Sequence, residues 1–226
     1  LYAVSLADGA RRLIARRVPD ATLSPRGRYA VAWDEHAKHW IATRTSDGRR
    51  VVLAPNAAVG FDNEQLDIPV PAQPYGFGGW LADDRGVFVY DRYDVWLANP
   101  DTGAAVNFTH GAGRQNQTVY SPVSTDPDEP VTFASDKPVL LSLIDERTYD
   151  SGYARVAASG GVPATLFKAP EVVNNGGRPV INGGLHRLVS TARVADLAAQ
   201  AISTGITGTT GISHTRWATH GAPTPI

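Results

Sequence analysis

Through the first 168 residues, short apolar runs are separated by clusters of Gly, Pro, Asp and Asn, and within the runs apolar and polar residues alternate. Alternation with a period of two turns one face of an extended chain toward a core, so each run is predicted to be a strand. One layout occurs twice. A turn and apolar strand from Leu23 to Trp33 lead to a second strand at His39 to Arg44, a hairpin at Asp47-Gly48 and a third strand at Val51 to Leu53. The same order returns in Trp80 to Tyr90, Asp94 to Ala98, Asp101-Thr102-Gly103 and Val106 to Thr109. A fainter copy ends in Gly152 to Val156, Ser159-Gly160-Gly161 and Thr165 to Phe167.

The hairpin glycines Gly48, Gly103 and Gly160 lie 55 and 57 residues apart. That is near the period of about 40 to 50 residues of blade repeats, with an insertion. Each unit is a small antiparallel sheet that cannot bury both faces alone, and radial stacking of such sheets gives a partial β-propeller of about three blades. A β-sandwich with accidental spacing is the alternative. Trp33, Trp40, Trp80, Tyr90 and Trp96 stand at alternate strand positions and are expected in the core.

After residue 168 the pattern changes. Ala169 to Gly184 is dense in Pro, Asn and Gly and reads as a joint. Ser190 or Thr191 can cap a helix whose apolar positions Val194, Leu197, Ala198, Ala201 and Ile202 share one buried face, with Gly205 ending it. Thr209 to Ala218 is rich in β-branched residues and is predicted to be a strand. The domain division is therefore 1–168, 169–184 and 185–226, a mainly β part followed by a small α/β fragment.

Composition narrows the chemistry. A net charge of −1 offers no electrostatic footprint for nucleic acid or an anionic membrane, and neither is expected as a partner. No apolar run reaches the roughly 18 to 20 residues of a membrane span. Cysteine is absent, which removes disulfides, thiolate metal sites and thiol nucleophiles from these residues. Methionine is absent too, so a chain starting at Leu1 reads as an internal piece of a longer protein.

Particular residues add resemblances. Ser24-Pro25-Arg26-Gly27-Arg28-Tyr29 resembles a strand opening of the propeller domains in the prolyl oligopeptidase family of serine peptidases, with Arg26 where Asp is usual. Pro74 to Trp80, Asp83-Asp84 and Tyr90-Asp91-Arg92-Tyr93-Asp94-Val95-Trp96 are similar to a secreted bacterial subgroup, as are Asn107-Phe108-Thr109, Gly113 to Asn116 and Asp145 to Thr148. The resemblance implies a propeller that screens peptides for a separate hydrolase domain. No Gly-x-Ser-x-Gly elbow occurs in the sequence, so no serine nucleophile is assigned.

His214-Thr215-Arg216-Trp217-Ala218-Thr219-His220-Gly221, with Gly208 to Ser213 before it and Leu185 to Leu188 ahead of the helix, closely resembles the glutaminase domain of the glutamine:fructose-6-phosphate amidotransferases. The resemblance implies an N-terminal-nucleophile hydrolase fold with glutamine as ligand. Arg216 would then hold the α-carboxylate in a planar two-bond fork. Thr219 and His220 would be neighbouring substrate contacts, and Trp217 would line the site. That family's nucleophile is an amino-terminal Cys thiol, and this sequence has none. The expectation is a catalytically incomplete chimera with no catalytic residue, no metal and no cofactor. Peptides would be partners of the first part and glutamine of the second. The first resemblance points to secretion or the periplasm and the second to the cytoplasm, so compartment and oligomeric state stay open.

Other polar groups carry plainer readings beside sharper ones. Asp34, Glu35, His36 and His39 could be imagined as metal ligands, although an H-x-x-H on a turn lacks a helical face to converge the imidazoles. Asp62, Glu64 and Asp67 read as a solvated acidic loop; the resemblance to peptidase propellers implies the alternative, a hold for a peptide amino terminus. Asn107-Phe108-Thr109 and Asn116-Gln117-Thr118 match the glycosylation triplet, which is frequent by chance.

Overall fold

The computed structural model describes residues 2–14, 16, 21–125, 132–170 and 194–203. The chain divides into two compact units, Leu1–Arg178 and Pro179–Ile226. In the first unit, the antiparallel pair β1 (Tyr2–Val4) and β2 (Arg11–Leu13) precedes three larger sheets. The first sheet runs β3 (Ala21–Leu23), β4 (Tyr29–Asp34), β5 (His39–Arg44) and β6 (Arg50–Val52), each strand beside the next. The second repeats this with β7 (Gly76–Leu81), β8 (Val87–Tyr90), β9 (Val95–Ala98) and β10 (Ala105–Asn107), followed by the short α1 (Ala112–Asn116). β11 (Thr118–Val123) opens the third, and β12 (Thr132–Phe133) leaves it to pair in parallel with β7. β13 (Val139–Asp145), β14 (Ser151–Val156) and β15 (Ala164–Ala169) complete the third sheet. The unit is mainly β, and none of its sheets closes on itself.

Two cores lie on opposite faces of the second sheet. Val87 and Val89 of β8 join Trp80, Val31, Trp40, Ala42, Leu53 and Phe61 on one face. Phe88 turns the other way and meets Val95, Phe108, Tyr120, Phe133, Leu141 and Leu143. A strand buried on both faces loses the alternation of a half-exposed one, which explains the continuous run Val87-Phe88-Val89-Tyr90. Trp40 and Trp80 are buried, while Trp33 and Trp96 are partly buried against the same cluster, as expected of core aromatics. Trp33 meets Trp40 edge-on, with ring centroids 5.5 Å apart.

The three hairpin glycines have φ of +79°, +78° and +83° at Gly48, Gly103 and Gly160, a region where L side chains are strained. Each also presses on the strand or turn before its own sheet. A Cβ on Gly48 would lie 3.3 Å from the Ile14 carbonyl oxygen, and one on Gly160 would lie 3.0 Å from that of Phe108. On Gly103 it would stand well inside contact distance of the Val52 carbonyl oxygen. The roughly equal spacing of these glycines is thus a repeated contact between successive sheets.

The structure adds strands to the predicted layout. Each sheet has an extra first strand, β3 or β7 in the two clear repeats. β3 is only three residues long, and β7 begins in a glycine-rich stretch that reads as turn. Gly76 has to be small there, because a Cβ would collide with the Tyr90 ring. The β1–β2 pair, α1 and β12 were not foreseen either.

In the second unit, α2 (Val194–Ser203) forms where the three-and-four spacing predicts a helix. The expected buried face is corrected: Ala198 is exposed and Ile202 is 81% exposed. Periodicity groups residues on a face, but burial requires a surface to cover that face. The proposed caps Ser190 and Thr191, the stop at Gly205 and the Thr209 to Ala218 strand lie outside the described residues. No helix among the described residues is long and apolar enough to cross a membrane.

Candidate functional site

Arg216, Trp217, Thr219 and His220 lie outside the described residues, so the glutamine-binding expectation has no geometry attached to it. The other candidates are placed. Asp34 Oδ1 accepts the backbone N–H groups of His36 and Ala37 at 3.1 and 3.0 Å, closing the β4–β5 turn. These bonds favour the charged carboxylate and hold its pKa below the usual value. His36 is exposed, and no group of three or more metal-ligating side chains forms among the described residues. Asn107 Oδ1 accepts from the N–H groups of Thr109 and Gly111, and the buried Thr109 hydroxyl donates to Asp94 at 2.6 Å. Asn107 and Thr109 of that triplet therefore serve the turn after β10.

The densest polar cluster sits where β8 turns into β9. Asp91 Oδ1 accepts the N–H groups of Tyr93 and Asp94 at 2.8 and 3.1 Å, a local turn that an Asp side chain can close. Its other oxygen accepts Trp96 Nε1–H at 2.9 Å. Asp94 takes the N–H groups of Gly113 and Arg114 at 2.9 and 3.1 Å, which ties α1 to the same turn. Gly113 is required for that approach, since a Cβ would meet the Tyr93 backbone.

This frame places two guanidiniums beside one ring. Arg92 Cζ is 5.0 Å and Arg114 Cζ 5.3 Å from the centroid of Tyr93. Arg92 makes a two-bond fork to Glu146 at 2.8 and 3.3 Å, and Tyr93 O–H donates to the same carboxylate at 2.8 Å. Arg114 has a single 3.3 Å bond to Asp91. Opposite, Tyr75 accepts the Glu64 N–H at 3.3 Å. Burial, with Glu64 nearby, raises the Tyr75 phenol above its ordinary pKa, so it stays protonated at neutral pH. Between them lies a cleft of about 320 Å³ lined by Ala58, Val59, Gly60, Glu64, Tyr75, Arg92, Tyr93 and Arg114. Among the acids of the 62–67 loop, Asp62 pairs with Lys38 at 2.8 Å, and only Glu64 lines the cleft.

Two buried carboxylates act elsewhere as ties. Asp84 accepts Ser24 Oγ–H at 2.8 Å, the Arg26 N–H at 3.0 Å and Arg28 Nε–H at 3.3 Å, binding the second sheet to the Ser24–Tyr29 turn of the first. Asp145 holds Arg147 at 3.0 Å and Lys168 at 2.7 Å. Arg147 first, then Lys168, keep the Asp145 carboxyl well below the usual carboxylate range. Sequence reasoning used Asp83-Asp84, Arg92-Tyr93, Gly113-Arg114 and Asp145-Glu146 only as marks of resemblance. The interleaving of Arg, Tyr and Asp from Tyr90 to Asp94 was the available signal of a polar centre.

No protein-family model matches the chain. The curated proteins it is similar to are sugar-phosphate aminotransferases. In particular, it is 54% identical over 43 residues to the glutamine--fructose-6-phosphate aminotransferase [isomerizing] of Bordetella pertussis, which is 19% of this chain and 7% of that protein. The same enzyme of Streptococcus pneumoniae strain R6 is 52% identical over 46 residues, 20% of this chain and 7% of that one. That of Rhizobium leguminosarum bv. viciae is 41% identical over 51 residues, 23% and 8% respectively. The chain thus spans less than a tenth of the length of the curated relatives it matches. Among solved structures, a calcium-binding protein, regucalcin, from Agrobacterium tumefaciens aligns with a TM-score of 0.37 at 11% identity, covering 70% of this chain and 46% of that one.

Proposed function

We propose that the chain joins two unrelated pieces, a peptidase-associated propeller segment in residues 1–168 and a glutamine-recognition segment in residues 185–226, and that it catalyses neither parent reaction. The carrying observation is the 54% identity over 43 residues to a glutamine-using aminotransferase, set beside an octet that supplies Arg216, Trp217, Thr219 and His220 but a sequence that supplies no cysteine. Arg216 holds the glutamine α-carboxylate, Thr219 and His220 contact the ligand, and Trp217 lines the site. Without a thiolate, glutamine would be bound and left intact.

In this reading the three stacked sheets are blades of a prolyl oligopeptidase-type propeller. Their repeated strand order and the glycine contacts between them support it. A propeller ring needs about four to eight blades, and these three sheets serve as part of a peptide-facing module.

The test incubates the purified chain with glutamine and, separately, with a glutamine-analogue electrophile and a serine-directed phosphonate. The expected result is no ammonia above background and no covalent label. Ammonia release that disappears in Arg216→Ala, or a single labelled Ser in a peptide map, would overturn the proposal.

A further inference from the structure

The net charge of −1 averages over an uneven distribution. The β1–β2 hairpin closes with the same two backbone bonds as the β5–β6 turn. Ser5 N–H reaches the Ala10 carbonyl and Gly9 N–H that of Ser5, both at 2.9 Å, as Arg44 N–H reaches Arg49 at 2.8 Å and Gly48 N–H reaches Arg44 at 2.9 Å. Thr45, in the second of these loops, accepts the Arg12 guanidinium through its carbonyl, and its hydroxyl donates to the Gly27 carbonyl at 2.7 Å. The hairpin, the β3–β4 turn and the β5–β6 turn therefore meet at Thr45. Exposed Arg11, Arg12, Arg16, Arg26 and Arg49 lie in or beside these segments, and none of them pairs with a carboxylate among the described residues. The nearby acids are already answered, Asp84 by Arg28 and both Asp47 and Asp101 by Arg44.

Tyr2 opposes Leu13 and Val4 opposes Arg11, so these side chains share one face of the hairpin, while Ala3 and Arg12 share the other. The Arg12 bond to Thr45 turns that second face to the first sheet and leaves the first outward. Tyr2 is 61% and Val4 53% exposed, and Leu6 at the hairpin tip is fully exposed. Apolar groups beside unpaired cations match the surface of an anionic bilayer, which offers hydrocarbon beneath a layer of phosphates. Nucleic acid would use the cations but leave Tyr2, Val4 and Leu6 in water. We propose that the β1–β2 hairpin docks on an anionic membrane surface, with Leu6, Tyr2 and Val4 entering the headgroup boundary and Arg11, Arg16, Arg26 and Arg49 pairing with lipid phosphates. Asp8, the acid of the hairpin tip, is held by the Ala10 N–H at 3.1 Å and opposes the approach.

The test floats the full chain with phosphatidylcholine vesicles containing about 30% phosphatidylserine, beside vesicles of phosphatidylcholine alone and a duplex DNA. Binding to the anionic vesicles is expected, about tenfold or more above the neutral ones and weakened by added salt. Leu6→Asp should weaken it about tenfold or more, on the usual gain from burying a leucine side chain. Arg16→Gln and Arg49→Gln should each weaken it about threefold to fivefold, and Asp8→Asn should tighten it about twofold. Leu166→Asp, at an exposed apolar position of the third sheet, should leave it unchanged. Inorganic phosphate should displace no more protein than chloride at the same ionic strength. Circular dichroism melts confirm that each variant is folded. Equal binding to neutral and anionic vesicles, vesicle binding insensitive to Leu6→Asp, specific displacement by inorganic phosphate, or duplex DNA held more tightly than the anionic vesicles would overturn the proposal.

Discussion

Between the first and second sheets, Gly103 is pressed against the Val52 peptide and Ala54 N–H donates to the Gly103 carbonyl at 2.9 Å. Between the second and third, Gly160 faces the Phe108 peptide, where an added Cβ would lie 3.0 Å from the carbonyl oxygen, and Gly161 N–H donates to that carbonyl at 2.9 Å. The backbone device is the same, but the polar ties differ. Buried Asp84 gathers three donors from the first sheet's turn, whereas the second joint relies on the half-exposed Arg92–Glu146 fork and on β12 paired with β7. A repeat can keep its main-chain geometry while each interface acquires its own side-chain chemistry, because the glycine sets the approach distance and the polar groups set only the register.

The sharpest break in this comparison is at the glycines. Gly103→Ala puts a Cβ against a carbonyl oxygen in a backbone region disfavoured for L residues and should cost about 3 to 5 kcal/mol. Gly160→Ala has the same φ penalty with more room and should cost about 1 to 3 kcal/mol. Urea unfolding of the two variants measures both, and equal costs would show that crowding does not distinguish the joints.

Asp84→Ala comes next. It leaves the buried Ser24 hydroxyl and the Arg26 N–H without their acceptor, for an expected loss of about 2 to 3 kcal/mol. Arg92→Gln, at a pair where both side chains are partly exposed, should lose under about 1 kcal/mol. Comparable losses in the same denaturation assay would mean that the two ties are equivalent.

The effect within the third sheet is distinguished by its pH dependence. Asp145 has its pKa lowered by Arg147 and Lys168, so it contributes stability above its unfolded value of about 3.9 and loses that contribution as pH falls below it toward the folded value. The stability difference between the parent chain and Asp145→Asn should be constant near neutral pH and shrink below about pH 4. Thermal melts across pH 2 to 7 check this, and a difference that grows with acid would contradict it.

Much of this organisation could be read from the chain. Gly48, Gly103 and Gly160 marked the hairpins, and the alternation in β4, β5 and β9 marked strands, because period and turn chemistry are local properties. β7 was missed because Gly76, Gly78 and Gly79 read as turn; Gly76 leaves room for Tyr90, Gly78 for Phe88 and Pro122, and Gly79 takes a φ of +111°. β12 was missed because two residues carry no period, and their partner lies about fifty residues away in sequence. The cleft was harder still. Glu64 and Tyr75 share one connection, Arg92, Arg114 and Glu146 come from three others, and only the stacking of sheets brings them to one end. For the glutamine-recognition octet the position is reversed: its residue types are explicit in the sequence, and its geometry lies outside the described residues.

The short parallel pairing of β12 with β7 also bears on the order in which the chain assembles. The other pairings in the three larger sheets join strands next to each other along the third sheet's path or adjacent in sequence, contacts with a small loop-closure cost. β12 instead pairs across about fifty residues of sequence with β7 of the second sheet, and it precedes β13 in the chain. During synthesis from the amino terminus, the first two sheets can therefore form as they emerge. Docking of Thr132-Phe133 on β7 then needs the second sheet's edge in place, and it adds to the other ties that hold the third sheet against its neighbour.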